Sequence, residues 1–141
     1  KYFDKMIIFR PHNVYGNDMG QEHVIPELIK KVKEAKKNIK MKGSGFQTRS
    51  FIYIDDFVDA FDLIFKKGKH LNIYNIGTQE QIRIIDLAKI IIKICKKKIT
   101  IKKEQIAKGG TQHRTPNINK IKRLGFKKKF NIIKGLKKII Q

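Results

Sequence analysis

Two kinds of apolar pattern take turns along this 141-residue chain, and their alternation is what most limits its fold. Short apolar runs bounded by turn residues read as strands, and longer stretches with apolar residues three and four apart read as helices. "DKMIIFRPHNV" (4–14) has four apolar residues in a row, then Arg10 and Pro11, which predicts a buried strand that the proline ends. "VIPELIKKVKEA" (24–35) carries Ile25, Leu28, Ile29 and Val32 at helical spacing, with Pro26 suited to a first turn. "IKMKG" (39–43), "SFIYI" (50–54), "NIYNIG" (72–77) and "KITIK" (98–102) read as strands. A helix is predicted over 56–67, capped by Asp55 or Asp56, with Phe57, Ala60, Phe61, Ile64 and Phe65 on one apolar face. Further helices are predicted over 84–97, 117–125 (ended by Gly125) and 131–140. Strands alternating with helices make the class α/β, and no repeat or long linker divides the chain, so residues 1–141 read as one unit.

Charge comes next, because it invites a wrong conclusion. The net charge is +21, which in many chains marks a nucleic-acid binder. Here 28 of the 33 basic residues are lysine and five are arginine, alongside 26 isoleucines. The lysines run from Lys1 to Lys138 without forming a block. Base-reading surfaces favour the bidentate fork of arginine. The excess lysine therefore reads as a bias of the whole chain, and no specific nucleic-acid partner is expected. No apolar run approaches the ~20 residues of a membrane span and no signal-peptide pattern opens the sequence, so a cytoplasmic location off the membrane is expected. Cys95 is the one cysteine, at an apolar helical position, and reads as a structural thiol. His12, His23, His70 and His113 show no metal-ligand spacing, and no metal site is expected.

Against that lysine background the arginines stand out. In "GSGFQTRSFIYIDD" (43–56), Gly43 and Gly45 permit a sharp turn, and Arg49 stands just before an apolar run. Its stem lies against the core and its fork at the sheet rim, where it can hold a phosphate bidentately. An ion pair with Asp55 or Asp56 is the other reading. Arg114 follows a second glycine pair in "GGTQHRTPN" (109–117). Two arginines beside glycine-rich turns suit a diphosphate clamp. "RPHNVYG" (10–16) places His12, Asn13 and Tyr15 at a strand's carboxyl end, where ligands bind in open parallel sheets. The plainer reading of Asn13 is that it satisfies turn backbone. Glu22 and His23 likewise read plainly as a helix entry.

The order of "RPHNVYG", "EHVIPELI", "GSGFQTRSFIYIDDFVDA", "YNIGT" and "HRTPNINKIKRLGF" resembles the carboxyl-terminal half of the extended short-chain dehydrogenase/reductase family, the NAD-dependent nucleotide-sugar epimerases and dehydratases. The resemblance implies the last parallel strands of an extended Rossmann-type fold plus a small substrate-binding α/β region. It implies a nucleotide-diphosphate sugar as partner and NAD as cofactor, held mainly by an amino-terminal half that is absent here. It implies that Asn13 touches the sugar or its phosphate, with Glu22 and His23 at the sugar. Val24 and Ile25 would line the nucleotide pocket, and Arg49, Asn75 and Arg114 would grip the diphosphate. Pro11 and His12 would lie near the nicotinamide. An auxiliary acid–base role for His23 stays open, because imidazole titrates near neutral pH.

The family's glycine-rich cofactor turn has no match here. Its catalytic tyrosine and lysine lie four apart, whereas Tyr2 and Lys5 are three apart. The resemblance thus places both features upstream of Lys1, with a homodimeric full-length form and an inactive isolated chain. Asn17 stands where the family has proline, and Asn117 where it commonly has aspartate. The alternative, a noncatalytic nucleotide- or polyanion-binding module, follows from the same absences. The charge argument yields a test: binding to DNA or RNA should be sequence-blind and collapse between about 50 and 200 mM salt. Sequence-selective binding that survives the higher salt would contradict it.

Overall fold

The structure is a computed structural model that describes residues 3–104 and 113–141; Tyr2, Gly109 and Gly110 lie outside them. In chain order the elements are β1 (Ile7–Pro11), β2 (Val14–Tyr15), α1 (Val24–Glu34), β3 (Asn38–Lys42), β4 (Thr48–Ser50), β5 (Ile52–Tyr53) and α2 (Ile54–Lys67). β6 (Asn72–Ile76), β7 (Gln81–Arg83), α3 (Ile84–Ile94), β8 (Thr100–Glu104), β9 (His113–Arg114), α4 (Asn119–Arg123) and α5 (Ile132–Ile140) follow. β1 pairs with β6, β2 with β5 and β3 with β8, all parallel. A small three-stranded sheet has the order β7-β4-β9, with β4 antiparallel to β7 and parallel to β9. This is the α/β class that the alternating pattern predicts.

The apolar residues divide into two cores. One gathers Ile25, Leu28 and Val32 of α1, Leu87, Ala88 and Ile91 of α3, Leu136 of α5, and Tyr15, Phe51 and Tyr53. The other gathers Ala60 and Ile64 of α2, Tyr74 and Ile76 of β6, Ile121 of α4, and Ile52. Successive side chains of an extended segment point to opposite sides. Residues 51–53 obey that rule: Phe51 and Tyr53 enter the first core and Ile52 the second, so this one stretch joins both. Tyr15 lies so close to Gly135 of α5 that a Cβ there would overlap its hydroxyl, and burial pushes the phenol well above its ordinary pKa.

Three expectations need correction. β1 is not a buried strand: Ile8 and Phe9 are 49% and 39% exposed. Among the described residues its one strand neighbour is β6, so much of its apolar surface meets no packing. Phe9 leans edge-on against Phe57 and Phe61 of α2. The apolar face of α2 is divided for the same reason, with Ala60 and Ile64 buried and Phe61 and Phe65 exposed. Nor does Asp55 or Asp56 cap α2, which starts at Ile54 with Tyr53 at the cap position and no side-chain cap bond. Asp56 is fully buried and does other work: its carboxylate accepts from the backbone N–H of Lys129 (2.8 Å) and Phe130 (3.0 Å), tying α2 to the segment that leads into α5.

Asn13 joins β1 to the small sheet. Its backbone is left-handed (φ 44°), which asparagine tolerates better than most residues. Its side-chain amide donates to the Ser50 carbonyl at 2.8 Å, and its own carbonyl accepts from Ile52 N–H at 3.2 Å. Replacing it separates two effects. Asn13→Gly keeps the backbone geometry and loses the amide bond, and should cost about 1 kcal/mol in urea unfolding. Asn13→Ala adds left-handed strain, for about 2 kcal/mol or more in total. Equal unfolding midpoints for the two variants would contradict this account.

Candidate functional site

The loop 43–47 decides where Arg49 goes. Gly43 and Gly45 have φ of 78° and 72°. A Cβ on Gly45 would also collide with the Met41 sulfur and press Ile85, so glycine is required on two counts. The loop is fixed by Gly43 N–H to the Glu104 carbonyl (2.9 Å), Ile85 N–H to the Gly45 carbonyl (3.0 Å) and Ile84 N–H to the Gln47 carbonyl (3.1 Å). It delivers the chain into β4, the middle strand of its sheet. There Arg49 is in register with Ile82 on β7 and with Arg114 on β9. Residues in register project to the same side of a sheet. The two arginines that stand out in the sequence are therefore neighbours on one side, carried by adjacent parallel strands.

Arg49 lines a cavity of about 230 Å³. Val24 and Leu28 of α1, Met41 of β3 and Ile84 make its apolar walls. Lys31, Lys40, Lys42 and Arg49 bring positive charge, against the single carboxylate of Glu27. Glu27 is paired with Lys31 at 2.6 Å, and Lys40 with Glu104 at 3.3 Å. Such exposed pairs are weak and leave the rim cationic. Arg49 donates to the Thr48 carbonyl at 2.7 Å. The aspartates of the ion-pair reading are committed elsewhere: Asp56 to backbone at 129–130, and Asp55 to Lys138 at 3.3 Å. Arg83 is engaged by Asp86 at 2.5 Å, which holds that carboxyl below its usual range.

A second group gathers at the carboxyl ends of β1 and β6. Pro11 closes β1 opposite Ile76, and His12 N–H donates to the Ile76 carbonyl at 2.9 Å. The His12 Nε2 is buried and has no hydrogen-bond partner among the described residues. Gly77 lets this corner close, since a Cβ there would come within 3.0 Å of the His12 Cβ and 2.9 Å of Pro116. Asn75 donates to the Asn117 carbonyl at 3.0 Å. Asn13 reaches Ser50, the residue after Arg49, and so links this corner to the small sheet.

Glu22 and His23 are exposed at the entry to α1. His23 occupies the cap position without a side-chain cap bond; its carbonyl accepts from Glu27 N–H at 3.0 Å. Val24 faces the cavity beside Arg49, while Ile25, a hundred degrees round the helix, is fully buried and lines a different hollow with Gly16 and Pro26. The structure thus places Val24 and Arg49 on one cavity, with Arg114 in register beside Arg49, and gathers Pro11, His12 and Asn75 in a separate corner. Sequence reasoning missed the lysines of the cavity, although the alternation in "IKMKG" sets Lys40 and Lys42 on one side of β3. No group of three His, Cys, Asp or Glu side chains among the described residues is arranged to hold a metal. No helix among them is long and apolar enough to cross a membrane.

Comparison with known proteins gives a consistent result. A family model for the NAD dependent epimerase/dehydratase family matches residues 1–77. The dTDP-D-glucose 4,6-dehydratase of Dictyostelium discoideum is 45% identical over 89 residues, covering 63% of this chain and 20% of that protein. The UDP-glucuronic acid 4-epimerase of Bacillus cereus, solved with UDP-glucuronic acid and NAD, superimposes with a TM-score of 0.81 at 29% identity, over 92% of this chain and 42% of that one. The NAD complex of dTDP-glucose 4,6-dehydratase from Bacillus anthracis gives 0.82 at 25% identity, over 95% and 43%. The chain spans 20% to 46% of the length of curated relatives such as these. By its residues, its fold and these matches, the chain belongs to the NAD dependent epimerase/dehydratase family.

Proposed function

We propose that this chain holds the nucleotide diphosphate of a sugar nucleotide in an NAD-dependent epimerase or dehydratase. The observation that carries the reading is the register pair of Arg49 and Arg114, of which Arg49 lines a cationic cavity with apolar walls. Two guanidinium forks from separate strands match the oxygens of two phosphates. Val24, Leu28 and Met41 suit the face of a heterocyclic base, which is apolar, and the lysine rim suits its carbonyl edge. Each charge-assisted contact to phosphate is worth about 1.5–3 kcal/mol. Glu22, His23 and Asn13 are assigned to the sugar side, and Asn75 to the neighbouring wall, in the corner it shares with Pro11 and His12. Ile25 then supports the pocket from within the core.

Pro11 and His12 are assigned to the nicotinamide side of NAD. The orphaned, buried His12 Nε2 fits a polar group arriving from outside the described residues, because a buried nitrogen without a partner is costly. When bound, NAD supplies the hydride acceptor and donor for transient oxidation of the sugar. The residues here bind, orient and shield. The tyrosine–lysine pair and glycine-rich turn of the family have no match in these 141 residues, so the reading gives this chain binding and not turnover. The intact enzyme is read as a homodimer.

Arg49→Lys tests the clamp directly, since it keeps the charge and removes the fork. In the intact protein the dissociation constant for UDP, dTDP or GDP, whichever binds, should rise about 10-fold or more. Unchanged affinity in calorimetric titration would overturn the clamp.

A further inference from the structure

We propose that Thr48, Gln81 and His113 form a positioning chain that sets Arg114 beside Arg49; this rests on the nucleotide-diphosphate reading above. β9 is two residues long, His113 and Arg114, and its one strand partner among the described residues is β4. Two register pairs, Thr48 with His113 and Arg49 with Arg114, fix it there. So short a bridge is a weak anchor for a side chain that must be placed to within a fraction of an ångström. The opposite side of the sheet supplies a second anchor. The Thr48 hydroxyl lies 2.8 Å from the His113 Nδ1 and 2.8 Å from the Gln81 Oε1. A hydroxyl has one proton. With that proton given to Gln81, the Thr48 oxygen accepts from the His113 Nδ1–H, which assigns the tautomer of the ring. A hydrogen-bonded row then crosses all three strands, β7-β4-β9, on the side away from the arginines.

Alternation explains why the row acts on Arg114. His113 and Arg114 are consecutive, so their side chains leave opposite sides of β9. Clamping His113 to Thr48 fixes the rotation of β9 about its axis and turns Arg114 to the side that Arg49 occupies. His113 and Thr48 point away from the diphosphate, so both are positioning residues. His113 was read from the sequence as one of four histidines without a metal spacing, and its partnership with Thr48 across 65 residues is the new element.

The test is a double-mutant cycle in the intact protein, read as affinity for a nucleoside diphosphate and for its nucleoside, with UDP/uridine, dTDP/thymidine and GDP/guanosine as probes. Thr48→Val removes both bonds at nearly constant shape, and His113→Ala removes one. Each should weaken the diphosphate about 3- to 10-fold and leave the nucleoside unchanged, because β3 and α1 bind the base. His113→Asn, which returns a donor near the Nδ1 position, should restore binding to within about 2-fold. In an Arg114→Ala background, Thr48→Val should add no further loss. Loss with Arg114→Ala but none with Thr48→Val or His113→Ala overturns the positioning chain and leaves the clamp standing. Additive losses also overturn it, as does equal weakening of the nucleoside. No binding of any diphosphate by the unaltered protein, or no effect of Arg114→Ala, overturns the diphosphate reading and this inference with it.

Discussion

Asn13 is the joint on which the site depends. Its left-handed backbone turns the chain out of β1, and its side-chain amide catches the carbonyl of Ser50. Ser50 follows Arg49, so the bond fixes the strand that carries the arginine against the end of the parallel pair β1–β6. Next to that contact, Phe51, Ile52 and Tyr53 alternate between the two cores. A shift of one residue there would exchange the contents of both cores and turn Arg49 to the other side of β4. Packing and site geometry are therefore set by one register.

The chemistry of the site is a matter of contrast. This chain is rich in lysine, and a lysine-lined rim attracts any polyanion. Specific recognition of a diphosphate needs geometry in addition to charge, and a guanidinium supplies a planar pair of donors that an ammonium does not. Three of the five arginines are separated accordingly: Arg83 serves Asp86, while Arg49 and Arg114 are register neighbours. The glycines of the loop 43–47 and the hydroxyl of Thr48 lie beside that pair without lining the cavity. Phe9, Phe61 and Phe65 are among the exposed apolar residues of β1 and α2, whose inward residues such as Ile7, Ala60 and Ile64 pack into the other core, and none of the three lines the cavity beside Arg49.

Much of this was legible in the residues. The three longer central helices announce themselves by apolar residues at three- and four-residue spacing, as in Ile25, Leu28 and Val32. The arginines announce themselves against lysine. Other features left no local signal. β2 and β9 are two residues each and β7 three, too short for any periodicity to register. The exposure of β1 could not be read from "MIIF", because an apolar run states a preference for burial and not what is available to cover it. Asp56 looked like a helix cap because acidic residues favour that place, yet its partners lie more than seventy residues away. A separation of 65 residues likewise hid the contact of Thr48 with His113.

The central claim is that Arg49 and Arg114 hold one diphosphate together. A crystal structure of the intact protein with UDP, dTDP or GDP tests it most directly. The account predicts guanidinium nitrogens of both residues within about 2.7–3.2 Å of phosphate oxygens, with the base between α1 and β3 against Val24 and Met41. A diphosphate bound elsewhere, or contacted by one arginine while the other turns away, would contradict it.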